Sequence, residues 1–209
     1  MYKKVLIVVA AALSLVGSVA EATPSYMPYG PQTDVALSTI TNGGWTECYS
    51  APMATFIGNG AENVLSQCTD QYIMMAGEVT GSNTFLAVAA TTLIGATTDT
   101  GQTSNFNVSN GSEWWFSDNW SWGFTAIGDD VDNGQCNVAN GPISMCLHTV
   151  NGAGGYRINN IEGLNDSTDY SKVFFEATGA AVPEPGSIAL VALGLLAFAV
   201  ASRKAKQKG

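Results

Sequence analysis

Apolar and β-branched positions recur in short runs over residues 34–40, 72–79, 84–94, 121–127, 143–150 and 172–177. Clusters such as Asn42-Gly43-Gly44, Asn110-Gly111 and Asn151-Gly152 separate them, and these residue types favour tight turns. Short strands at this spacing predict an all-β chain folded as an antiparallel β-sandwich, jelly-roll-like or Ig-like. Residues 61–66 alone read as helical. The run 85–94 suits a buried strand or a helix, and its flanking Thr and Gly favour the strand. No internal repeat is visible, so residues 23–179 are expected to form one domain.

The two ends follow another pattern. Lys3 and Lys4 precede an apolar stretch over residues 5–16, and small residues then lead to Ala20-Glu21-Ala22. This order predicts a secretory signal peptide over residues 1–22, cut after Ala22 with Ala20 as the alternative. The stretch is short for the other possibility, an uncleaved span. At the far end, Val182-Pro183-Glu184-Pro185-Gly186-Ser187 leads into an apolar run over residues 188–201, followed by Arg203, Lys204, Lys206 and Lys208. As a helix that run would reach roughly 21 Å, against about 30 Å of hydrocarbon. Flanking small residues and extended lysine side chains add reach, so a single transmembrane helix is expected over about 187–202. Its basic end would stay cytoplasmic. Pro183 and Pro185 lack N–H donors and stop the helix from extending backward.

Pro183-Glu184-Pro185, the apolar helix and the basic end together resemble the PEP-CTERM sorting domain of Gram-negative bacteria, over residues 180–209. The resemblance implies an exported protein whose sorting motif is Pro183, Glu184 and Pro185 and whose partner is the exosortase machinery. It further implies transient anchoring in the inner membrane, then release to the cell surface or outside, in bacteria that make exopolysaccharide. Several stretches of residues 35–178 also look like a recurring exported domain of PEP-CTERM proteins. They are Gly44-Trp45-Thr46-Glu47-Cys48-Tyr49, Trp120-Ser121-Trp122-Gly123-Phe124, Leu147-His148-Thr149, Gly155-Tyr156-Arg157 and Gly163-Leu164-Asn165. Such relatives often have Trp where this chain has Leu147. That domain has no established activity, so it assigns no role to any residue.

Setting the ends aside changes the charge. Residues 23–182 keep Arg157 and Lys172 against fifteen Asp and Glu, a formal charge of −13. Nucleic acid as a partner is excluded, because phosphate neutralisation requires Lys and Arg. An anionic lipid surface is disfavoured for the same reason.

Cys48, Cys68, Cys136 and Cys146 all lie in the exported part, where an even count suggests disulfides. Three pairings are open. The local ones, Cys48 with Cys68 and Cys136 with Cys146, are favoured because each closes a short loop. The spacings match no zinc pattern.

Residues 113–124 hold the aromatic-rich stretch. Trp120, Trp122 and Phe124 alternate and would share one strand face, as would Trp114 and Phe116. Facing inward, this stripe is core; facing outward, Trp120 and Trp122 would stack on sugar rings, with Asp118 and Asn119 supplying hydrogen bonds. Asp129, Asp130 and Asp132 make a calcium candidate, but Asn133 directly follows Asp132 and no glutamate stands at the twelfth position. A solvated acidic turn is the alternative, and no metal or other cofactor is expected. His148 is the sole histidine and no G-x-S-x-G elbow accompanies it, so no catalytic residue is assigned. Arg157 and Lys172 are expected to pair with carboxylates.

The expectation is a non-enzymatic cell-surface or extracellular-matrix protein, with extracellular polysaccharide as a candidate partner. The alternatives are a carbohydrate-binding module and a secreted glycan-active hydrolase with two carboxyl groups about 5–9.5 Å apart.

Overall fold

The computed structural model describes residues 19–22, 24–102, 104–132, 136–139, 141–150 and 152–183. The chain divides into two compact units, Thr23–Gly179 and the two terminal segments. In the terminal unit, β1 (Val19–Ala22) pairs antiparallel with β14 (Ala180–Pro183). Residues 1–18 of the expected signal peptide, Glu184, Pro185 and the expected transmembrane run lie outside the described residues. Among the described residues no helix is long and apolar enough to cross a membrane.

The unit Thr23–Gly179 is mostly β. It opens with β2 (Val35–Ala36), α1 (Leu37–Asn42), β3 (Thr46–Pro52), α2 (Glu62–Leu65), β4 (Tyr72–Val79), β5 (Thr84–Thr92) and α3 (Leu93–Thr97). Next come β6 (Asn107–Ser109), β7 (Ser112–Phe116), β8 (Ser121–Ala126), β9 (Asp130–Asp132) and β10 (Asn137–Ala139). It closes with β11 (Ser144–His148), β12 (Gly155–Ile158) and β13 (Tyr170–Ala177). One five-stranded antiparallel sheet has the order β2-β5-β4-β13-β3, a second has β12-β11-β8-β7-β6, and β9 pairs with β10 as a separate ribbon. The second sheet is a sequential meander placed whole between β5 and β13 of the first. Jelly-roll and immunoglobulin folds instead pass repeatedly between sheets, so neither order describes this chain.

Residues 34–40 depart from the strand expected of them, because only Val35 and Ala36 are extended before α1 begins. Burying Ile40 together with Trp45 and Phe85 selects the helical turn, and Asn42-Gly43-Gly44 ends it. The β6–β7 hairpin turns on Asn110 and Gly111, at φ 47° and 75°, as a two-residue turn of this kind requires. The Asn110 side chain donates to Pro28 O and Ala90 O, pinning the turn to the first sheet.

Side chains of both sheets share the largest core cluster. Ile73, Met75, Ala87, Ala89 and Phe174 meet Trp114, Trp122, Phe124, Met145 and Leu147 there. Trp122 stacks on Phe174 with ring centroids 5.1 Å apart. The opposite face of the first sheet is buried too, beneath Ile40 and Trp45. On the opposite face of the second, Trp115 packs with Val131 and the Cys136–Cys146 bridge. Gly123 makes room for that indole: a Cβ there would stand 2.4 Å from the Trp115 ring.

Both local disulfides form, Cys48–Cys68 and Cys136–Cys146, with Cα atoms 5.2 and 5.5 Å apart. The first ties β3, an edge strand, to the segment after α2. Replacing Cys48 and Cys68 by alanine is expected to cost roughly 2–4 kcal/mol, chiefly by freeing the unfolded chain. Urea unfolding of the oxidised protein against the double variant measures it, and equal midpoints would show that the bridge adds nothing.

Candidate functional site

The turn between β7 and β8 helps to build a polar concavity. Asn59, Gly60, Asp118 and Asn119 line an open hollow of about 400 Å³. Its shape is set by backbone hydrogen bonds that bring three distant segments together. Gly60 N donates to Asp118 O at 2.7 Å and to Thr149 O at 3.3 Å. Gly60 adopts φ 57°, and a Cβ there would stand 3.1 Å from Asp118 Oδ1, so a side chain would crowd the hollow. Thr149 closes the turn from the other side: its hydroxyl donates to Ser117 O and accepts from Trp120 N at 2.9 Å.

Trp120 follows this turn directly and is half-buried, with its indole N–H enclosed and unpaired. Asp118 and Asn119 are exposed. The hollow therefore offers a carboxylate and two amides, with Trp120 next in the chain after Asn119, a set suited to hydroxyl-rich ligands.

Trp122 cannot share in this. It is fully buried, stacked on Phe174, and donates its indole N–H to Ala96 O at 2.9 Å. Of the two tryptophans expected to stack on sugars, Trp122 is therefore core, and Trp120 is the one that reaches the surface. Trp120 precedes β8, whereas Trp122 lies within it and faces the first sheet. Trp114 and Phe116 occupy the same cluster, so the aromatic stripe is core.

His148 stands beside Trp120 and Tyr156, its ring 5.8 Å from the Tyr156 ring. Burial pulls the imidazole below its ordinary range, while a hydrogen bond with the Trp120 backbone acts the other way. Ser121, opposite it in register, is fully buried and accepts a hydrogen bond from the Trp115 indole.

The acidic turn runs into β9. Asp130 and Asp132 are exposed on either side of buried Val131, while Asp129 accepts from the Thr125 hydroxyl at 2.6 Å. Among the described residues no group of three His, Cys, Asp or Glu could hold a metal ion. Glu113, on the neighbouring strand β7, is buried and accepts from Gly128 N at 2.7 Å. Burial raises its pKa; the Gly128 bond opposes this, and Asp129 and Asp130 add to it.

Arg157 meets Glu162, as expected of a buried guanidinium. Lys172 does not pair with a carboxylate. Fully buried, it donates to the backbone carbonyls of Met53 and Thr55, and burial lowers its pKa to about 7. Its alternation in β13 puts it on the face of Phe174, toward the shared core. Sequence reasoning missed Asn59, Gly60 and Thr149, whose roles come from contacts between distant segments. Only the Asn59-Gly60 pair carried a local turn signal.

A family model of the PEP-CTERM protein-sorting motif matches residues 181–204. No curated protein and no solved structure matches the chain. Residues 181–204 are the C-terminal sorting tag of exosortase substrates, and proteins so tagged are exported and sorted to the cell surface.

Proposed function

We propose that this exosortase substrate is a non-enzymatic surface or matrix protein of exopolysaccharide-producing, biofilm-forming cells. Its exported unit is a disulfide-stabilised β-sandwich formed by the two sheets. Before processing, the C-terminal helix holds the chain at the inner membrane; afterwards the domain resides at the cell surface or outside. The sorting tag carries this reading. The charge of −13 over residues 23–182 supports a soluble exterior.

A second reading rests on the hollow lined by Asn59, Gly60, Asp118 and Asn119, with half-buried Trp120 next in the chain: a carbohydrate-binding module using Trp120 for stacking and Asp118, Asn119 and Asn59 for hydrogen bonds. Both readings are tested by titrating the purified oxidised protein with the host's exopolysaccharide and following tryptophan fluorescence. The binding module predicts a saturable change, weakened about tenfold in Trp120→Ala, the equivalent of ~1.4 kcal/mol of stacking. No change would set the module aside and leave a surface protein with another partner. Hydrolysis of the polymer, abolished by one carboxylate substitution, would overturn the non-enzymatic reading and make the chain a glycan-active hydrolase.

A further inference from the structure

The strand β14 overlaps the start of the sorting motif. Val19, Ala20 and Glu21 lie opposite Pro183, Val182 and Ala181, and Ala22 lies opposite Ala180. The partner strand therefore contains Ala20-Glu21-Ala22, which reads as the leader-cleavage site, while its mate contains the first proline of the sorting motif.

Both strands directly adjoin the exported unit, β1 ending one residue before Thr23 and β14 starting one residue after Gly179. Both strands belong to one chain, so their pairing is intramolecular. Enzymes that grip a substrate segment as an added strand need its main-chain N–H and C=O groups. The edge of Ala180–Pro183 that faces β1 is already occupied by this pairing.

We propose that β1 shields Ala180–Pro183, the segment that leads into the sorting motif, until the leader is removed, so that leader cleavage licenses tail processing. The proposal rests on the sorting reading and on the leader over residues 1–22. Hydrolysis of the Ala22–Thr23 amide adds one water, leaving a carboxyl on Ala22 and an amine on Thr23. β1 then loses its covalent link to the chain. A four-residue strand cannot hold a two-stranded pairing as a separate molecule, so β14 is released.

The test expresses the full chain, with an epitope after Gly209, in a Gram-negative host that has an exosortase. Pulse-chase with intact-mass detection is expected to show one intermediate, without leader and with tail. An intermediate that keeps the leader and has lost the tail would overturn the proposal. Thr23→Pro blocks leader cleavage and leaves both strands unchanged. It is expected to slow tail removal about tenfold, the effect of a few retained backbone hydrogen bonds. Adding Glu21→Pro, which removes a backbone donor from β1 and leaves the sorting motif intact, is expected to restore removal to within about twofold of the parent. Removal at the parental rate in Thr23→Pro, or equally slow removal in both variants, would overturn the shield. A parent chain that never loses its tail would sink the sorting reading, and this proposal with it.

Discussion

Trp122→Ala is expected to destabilise the exported domain by about 3–5 kcal/mol, the range for emptying a large aromatic site in a close-packed core. Three losses combine. The stack on Phe174 disappears, the edge contact with Phe116 at 5.7 Å goes with it, and Ala96 O loses its indole donor. Trp120→Ala, at a half-exposed position, is expected to cost about 1 kcal/mol or less. Guanidinium unfolding followed by far-UV circular dichroism compares the two. A Trp122→Ala midpoint equal to the parent's would show that the indole does not fill the shared core.

The second large effect is a stability minimum near neutral pH. In the unfolded chain the Lys172 amine holds its proton up to about pH 10.5, but in the folded protein only up to about 7. Between these values the unfolded state binds more protons, so stability rises with pH there, by several kcal/mol in total at ~1.4 kcal/mol per unit. Below pH 7 the penalty is constant. Glu78 acts in the adjoining window. Burial, aided by the charge of Glu47, raises its pKa from 4.5 to about 7. The folded state therefore binds more protons between those values, and stability falls as pH rises through them. Glu78 lies opposite Ser171, and Lys172 opposite Gly77, so the two face opposite sides of the sheet and cannot neutralise each other. Urea midpoints from pH 4.5 to 10 should dip near 7. Lys172→Met should flatten the alkaline limb and Glu78→Gln the acid limb. Met53 O keeps its bond from Gly155 N in the lysine variant. A parent midpoint that does not rise between pH 7 and 10 would refute the Lys172 account.

Local signals carried the parts of this fold that were legible in the sequence. The run 72–79 coincides with β4, because its apolar residues are buried on both faces and turn residues bound it. The disulfides followed from loop length. The residues at 34–40 misled because DVALSTI is equally apolar as strand or helix, and only packing beneath Trp45 decides. Lys172 misled for another reason: an isolated lysine among fifteen acidic residues points to a carboxylate partner, and nothing local shows the Met53 and Thr55 carbonyls waiting inside. The hollow needed Asn59-Gly60 to meet Asp118-Asn119 and Thr149. That meeting exists only once both sheets are built.

The meander placed between β5 and β13 has a consequence for export. β13 is central in its sheet, bonded to β4 on one side and β3 on the other, yet it is the last strand of the domain to leave the ribosome. Until it crosses the membrane, β4 presents a bare edge and β3 lacks its one neighbour in the sheet, a state open to wrong pairing. Their native partner arrives only after the whole second sheet has passed, at the long sequence separation that slows folding. Two residues separate the end of β13 from β14, where the sorting tag takes over. Completion of the sheet and arrival of the tag are therefore nearly one event in translocation, so a chain that presents its tag has already exported every strand needed to fold.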